Sequence, residues 1–344
     1  RGRLIRRREL LSAAAGGSML PALAAAAVEP AAAAAGPKTL RTAFDFVETG
    51  FDPPRVSDNS SAQVNAHIFE PPLTYDPLAD PPRLVPLTAA ALPEVFDGGR
   101  RFIFTLQPGT LFADDPAFGG KPRELVAADY VYTVKRYADP KLKSEHLYHY
   151  ENAKLLGLSD LRQRALRNKT TFDYDTPIDG IRALDRYRFE VRCAEPSPRL
   201  PYVFAQPGLA GAVAREVVEA YGEEIMAHPV GTGPFRLAQW RRGSLITLER
   251  NPRFREQRYR AEPPPDRPDL VAMAQRLNGQ RLPFLDRIEI SVIEESQPRW
   301  LAFLRGELDP EPVHPRTDAR ADADLDVGGA RGDVDRRQAK GQGG

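Results

Sequence analysis

The sequence predicts a mixed α/β fold, α+β in its ordering, on three observations. Short segments alternate apolar and polar residues with period two, as half-buried strands do. Between them lie helix-length segments with apolar residues three and four positions apart. The two kinds follow one another without a strict repeat, and 33 prolines in 344 residues argue for many loops and few long helices.

Taken in order, Thr39 to Phe46 reads as the first strand. Asp52-Pro53 opens a turn, and Ser60 to Phe69 reads as a helix. The turn Asp97-Gly98-Gly99 precedes a strand that places Phe102, Phe104 and Leu106 on one face. A helix from about Ala127 to Ala138 stops ahead of Pro140 and buries Tyr130, Val131, Val134 and Tyr137. A mixed segment leads to a strand in which Tyr187, Phe189 and Val191 alternate with Arg188, Glu190 and Arg192. Ala212 to Tyr221 reads as a second helix.

The stretch GTGPFRLAQW, Gly231 to Trp240, then poses a choice between a phosphate loop and a turn. No Gly-Lys-Ser/Thr follows it, and Pro234 removes an amide that a phosphate cradle would use. The continuation reads as a hairpin. Phe235, Leu237 and Gln239 alternate with Arg236 and Ala238, Arg242-Gly243 turns the chain, and Leu245, Thr247 and Glu249 alternate with Ile246 and Leu248. Residues 257–283, rich in Pro, Arg and Asp, read as loop. Leu285 to Glu294 alternates again, with Ile288, Ile290 and Val292 opposite Glu289 and Ser291. A short helix from Pro298 to Leu304 ends at Gly306.

Composition narrows the function. A net charge of +1 supplies no field for nucleic acid or an anionic membrane surface. Cys193 is the sole cysteine, so neither an internal disulfide nor a cysteine-based zinc site is available. His146 and His149 lie three apart, but no His-Glu-x-x-His or further ligand accompanies them, and no metal or cofactor is expected. No Gly-x-Ser-x-Gly elbow occurs, and the acid pairs Asp114-Asp115 and Asp173-x-Asp175 read as solvated turns. The sequence assembles no catalytic constellation.

The amino-terminal segment reads as an export signal over residues 1–37. Arg6, Arg7 and Arg8 precede an uncharged run from Leu10 to Val28 that is dominated by Ala and Gly and broken by Pro21. The Arg-Arg-x-Leu-Leu arrangement is similar to a twin-arginine signal, which implies a periplasmic product. At the other end, residues 310–344 contain no aromatic residue and few aliphatics, and read as a disordered tail.

Between these ends the motifs form a recognisable set. FDPPRVSDNSSAQVNAHIFEPPLTYDP (51–77), LPEVFDGGRRFIFTLQPGTLF (92–112), ELVAADYVYTVKRYADP (124–140), HPVGTGPFRLAQWRRGSLITLERNPRF (228–254) and WLAFLRGELD (300–309) occur in this order. Together they resemble the family 5 extracellular solute-binding proteins of ABC importers, the group of peptide, nickel and opine receptors. The resemblance covers Lys38 to Asp309 and implies a first lobe with an inserted subdomain. It also implies no enzymatic activity, a peptide or other small solute as ligand, ABC permease subunits as partners and a monomeric receptor. Within it, the polar turn Ser57, Asp58, Asn59 and Ser60 is expected to border the ligand cleft, with Tyr148 and Tyr150 as further contacts. In that family the segment at Asp309 leads into a second lobe; here it leads into Arg-, Asp- and Gly-rich sequence, so the second lobe is expected to be missing, as after a frameshift or gene truncation. An exported hydrolase and a non-functional remnant of such a receptor are the alternatives.

Overall fold

The computed structural model of the protein describes residues 36–310. The export-signal reading of residues 1–37 and the tail reading beyond Pro310 therefore fall almost wholly outside the described residues.

The chain opens with β1 (Thr39–Phe44) and α1 (Asn59–Ile68). It then runs through β2 (Leu73–Tyr75), β3 (Leu84–Pro86), β4 (Glu94–Phe96) and β5 (Arg101–Thr105). Next come α2 (Ala127–Ala138), α3 (Tyr148–Asn152), α4 (Leu158–Asn168), β6 (Ile181–Ala183) and β7 (Arg188–Arg192). The short helices α5 (Leu200–Val203) and α6 (Pro207–Ala210) precede α7 (Arg215–Tyr221). The hairpin β8 (Phe235–Arg241) and β9 (Leu245–Arg250), α8 (Pro268–Leu277), β10 (Arg287–Val292) and α9 (Ser296–Leu304) complete the described chain.

One sheet has the order β1-β10-β9-β8, with β1 and β10 parallel and the other pairs antiparallel. Another, antiparallel throughout, has the order β4-β5-β7-β6. Every strand of the antiparallel sheet lies between β1 and β8 in sequence, so this body is inserted into the first. Each has its own core. Val64 and Ile68 of α1 pack with Phe44, Phe235, Ile246, Leu248, Ile288 and Ile290 on the first sheet. Phe102, Phe104, Phe189 and Val191 pack with Tyr130, Val134 and Tyr137 of α2 in the second, where the Phe104 and Phe189 rings stack at 4.8 Å.

A buried ion pair fixes the loop after β1 to α2. Arg136 donates to both carboxylate oxygens of Asp52 at 2.6 and 2.9 Å, with the two side chains 2% and 1% exposed. Burial works against the Arg136 charge, and the field of Asp52 more than offsets it, so its pKa is raised.

The GTGPF stretch has a steric explanation. A Cβ on Gly231 would lie 2.0 Å from the Ile68 carbonyl oxygen, and one on Gly233 would lie 2.5 Å from that of His67. The Gly233 N–H donates to Ile68 at 2.8 Å, satisfying a carbonyl at the end of α1. Only glycines allow the chain to pass this close to the helix end as it enters β8.

Two readings are corrected. Residues 257–283 are not all loop, since α8 occupies Pro268–Leu277. The prolines at 263–265 dominate the composition there, yet Pro268 sits where a first-turn N–H needs no partner, and the residues after it are free of Pro and Gly. The second predicted helix starts at Arg215, because Ala212 to Ala214 run as irregular buried chain.

Candidate functional site

Ligand crevices in open α/β sheets lie outside the carboxyl ends of the strands. Here the parallel strands β1 and β10 end together at Phe44 and Val292. β1 is also an edge strand. The carbonyls of Lys38, just before it, and of Phe44, at its end, accept from Asp286 and Ile293 on the β10 side, so the pleat turns the backbone groups of Arg41 and Ala43 outward. Arg41 exchanges bonds with Asp309, whose carboxylate accepts from the Arg41 N–H at 2.7 Å and whose N–H donates to the Arg41 carbonyl at 2.8 Å. Among the described residues nothing pairs with Ala43 on that side.

The loop that follows is held from both flanks. Buried Glu48 accepts from the Trp240 indole at 2.5 Å and the Gly243 N–H at 2.8 Å, which ties it to the hairpin turn. On the other flank the Ser60 hydroxyl donates to the Phe46 carbonyl at 2.8 Å. Between these anchors Phe46 stands 68% exposed. Asp58 caps α1, accepting from the Ser61 N–H at 2.7 Å and from the Thr49 hydroxyl at 2.5 Å. Partial burial acts to raise its pKa, but the bonds from Thr49 and Ser61 win and hold it below the ordinary carboxylate value.

Beside the amino-terminal half of α1 lies a cavity of about 610 Å³. Asn59, Ala62, Gln63 and Ala66 form one wall, His146 and His149 a second, and the chain from Arg199 to Leu209 a third. Among the described residues no carboxylate lines it. His146 Nε2 lies 2.8 Å from the Val56 carbonyl, so the ring is oriented by the loop before Asp58. Burial, reinforced by the adjacent His146, lowers the pKa of His149. Arg199 at the rim is exposed, its carbonyl accepts from the Tyr202 N–H at 3.1 Å, and its guanidinium makes no ion pair or hydrogen bond among the described residues. Gln63 also lines a hollow of about 630 Å³ over β1 and β10, whose mainly apolar wall includes Asp45, His67 and Arg299.

The expected site residues separate into three groups. Ser57 and Asn59 are exposed at the start of α1, and Asn59 lines the cavity. Asp58 and Ser60 lie at the same place, but their side chains are engaged in the cap and the loop anchor. Tyr148 is exposed, with its ring 4.0 Å from that of His149. The expectation for Tyr150 is corrected: it is wholly buried and donates to the Leu209 carbonyl at 2.6 Å, so it supports the cavity floor from within the core. Arg199, Tyr202 and Gln206 were not legible, because no motif marks them and they reach α1 across well over a hundred residues of chain. Gln63 could have been found as a polar residue on the outer face of a predicted helix.

Burial pushes the Cys193 thiol up to about 11, against thiolate formation at neutral pH. Among the described residues no group of three or more His, Cys, Asp or Glu could hold a metal ion, and no helix is long and apolar enough to cross a membrane.

A family model described as bacterial extracellular solute-binding proteins, family 5 Middle, matches residues 83–339. The probable deoxycholate-binding periplasmic protein YgiS of Escherichia coli is 28% identical over 210 residues, which cover 60% of this chain and 36% of YgiS. The periplasmic oligopeptide-binding protein OppA of Salmonella typhimurium is 29% identical over 132 residues, covering 38% of this chain and 23% of the relative. Among solved structures, Haemophilus influenzae OppA in complex with RPPGFSPFR superimposes with a TM-score of 0.62 at 18% identity, covering 85% of this chain and 49% of that one. The chain thus spans less than half the length of these relatives. With the family model matching well over half of its length, the chain belongs to family 5 of the bacterial extracellular solute-binding proteins.

Proposed function

We propose that the chain forms the ligand-holding face of a periplasmic receptor that captures peptides for an ABC importer and performs no chemistry on them. The observation that carries this reading is the cavity beside α1, lined by amides, imidazoles and short aliphatic side chains, with the unpaired Arg199 at its rim and no carboxylate. Such a lining suits a ligand with an amide backbone and an anionic end. Two relatives of different printed ligand support that chemistry, since an oligopeptide and deoxycholate both carry a carboxylate. The open edge of β1 at Ala43 adds backbone groups that an extended peptide can pair with. Ser57, Asn59 and Tyr148 belong to the rim in this reading, and permease subunits are the downstream partners.

Nuclear magnetic resonance titration of the chain with a mixed peptide pool tests it. Saturable shifts should appear at the side-chain amides of Asn59, Gln63 and Gln206, and Arg199→Met should weaken the response about tenfold, the order expected for a lost charge-assisted bond. Shifts confined to other surfaces, or cleavage of the peptides, would end the reading.

Periplasmic delivery is proposed through the twin-arginine route. Replacing Arg7 and Arg8 by Lys keeps the charge and removes the paired guanidinium signal, so export of the double variant should stop. An unchanged periplasmic yield would exclude that route.

A further inference from the structure

The cavity beside α1 has a neighbour on the far side of α5. This neighbouring hollow, of about 680 Å³, is walled by Pro81, Pro82, Pro93, Pro201, Leu92 and Val95 among others. Between the two runs the chain from Pro198 to Gln206. Arg199, Tyr202, Val203 and Gln206 recur at helical spacing and face the α1 cavity, whereas Pro198 and Pro201 face the proline-walled hollow. Among the described residues Tyr202 is the one that lines both. Its ring is 47% exposed, its hydroxyl has no hydrogen-bond partner among the described residues, and Tyr75 stands behind it at a ring separation of 6.4 Å. The side chain is therefore placed as a movable partition and not as a core residue.

Resting on the peptide reading above, the geometry points to Tyr202 as the residue that sets ligand length. With the ring in place the α1 cavity ends at α5. With the ring removed the two hollows join, and the space open to a ligand roughly doubles. The hollow beyond suits an apolar side chain. Its Arg83 and Glu262 are already paired with each other at 2.8 Å, and prolines and aliphatics supply most of the wall. Among the described residues a peptide's carboxylate end finds no free cation there, since Arg83 is held by Asp76 and Glu262, whereas the exposed Asp80 at the wall leaves a counter-charge for an amino end only. Extension of the carboxyl-terminal side past Tyr202 therefore favours ligands that carry leucine-like residues, and not the charged end, beyond it.

The test compares the full chain with Tyr202→Ala and Tyr202→Phe. A peptide series graded from tripeptides to hexapeptides, with leucine or alanine at each end in turn, is titrated by nuclear magnetic resonance. In the wild type, affinity should stop improving at a definite length. Tyr202→Ala should move that limit upward and bind the longest leucine-ended peptides about tenfold more tightly than wild type, on the scale that one added apolar contact discriminates. Tyr202→Phe, which retains the ring, should keep the wild-type profile. The same length profile in Tyr202→Ala and wild type would overturn the inference while leaving the peptide reading intact. Silence of the wild type toward every peptide would remove that reading and the inference with it. The ring is half exposed, so both variants should fold, which circular dichroism checks.

Discussion

Asp58 shows how much a single side chain fixes. It caps α1, bonds Thr49, and so holds the loop that carries Phe46 and Ser57 against the helix start. Asp58→Ala should cost about 1 kcal/mol, the usual loss on removing an N-cap acceptor, and Asp58→Asn less, since an amide oxygen can still accept from Ser61. The sign of the pH effect follows from the lowered pKa. A carboxylate depressed in the folded state adds stability above its ordinary value of 3.8, and that stability is lost as pH falls through the folded value. Urea melts across the acid range should therefore show a steeper loss for the wild type than for Asp58→Asn. Equal slopes would mean that the Thr49 and Ser61 bonds do not favour the charged form. At this scale the sequence is uneven. The cap was legible as a polar turn ahead of a helix, but the burial of Tyr150 was not, because the carbonyl that receives its hydroxyl belongs to Leu209, 59 positions away.

Elements were most legible where their signals are local. The period-two alternation of β8 and β9 and the bounds of α2 at Ala127 and Ala138 needed nothing beyond neighbouring residues. The parallel pairing of β1 with β10 was invisible, since Thr39 and Arg287 meet across the length of the domain. The small helix α8 was obscured by the prolines just ahead of it. Gly231 is where a local signal and a distant contact coincide, and it gives the sharpest test of an element junction. Its added Cβ would meet the backbone oxygen of Ile68, which cannot rotate away, so Gly231→Ala should destabilise by about 3 kcal/mol, the upper range for overpacking. Gly208→Ala is the control: no atom lies within 4 Å of its Cβ position, and it should be neutral or slightly stabilising. Thermal melts of the two variants side by side would decide it, and equal melting temperatures would show that the helix end yields without cost.

For the molecule as a whole, affinity depends on how completely a ligand is enclosed. Binding pockets commonly bury some 70–90% of ligand surface. In this chain Asn59, Ala62, Gln63, Ala66 and Arg199 are exposed around the cavity, so a ligand seated between its three walls keeps one face open to solvent. The translational and rotational cost of association is nearly the same whether the ligand is covered from one side or two. If half of the roughly 8 kcal/mol of a micromolar complex comes from a second face, a ligand held by one face alone sits in the millimolar range. We therefore expect the 344-residue chain, measured by itself, to bind short peptides with dissociation constants near millimolar. Calorimetry against a mixed pool of di- to pentapeptides measures this directly. A dissociation constant below about ten micromolar would mean that one face supplies nearly all the binding energy, and the enclosure argument would have to be withdrawn.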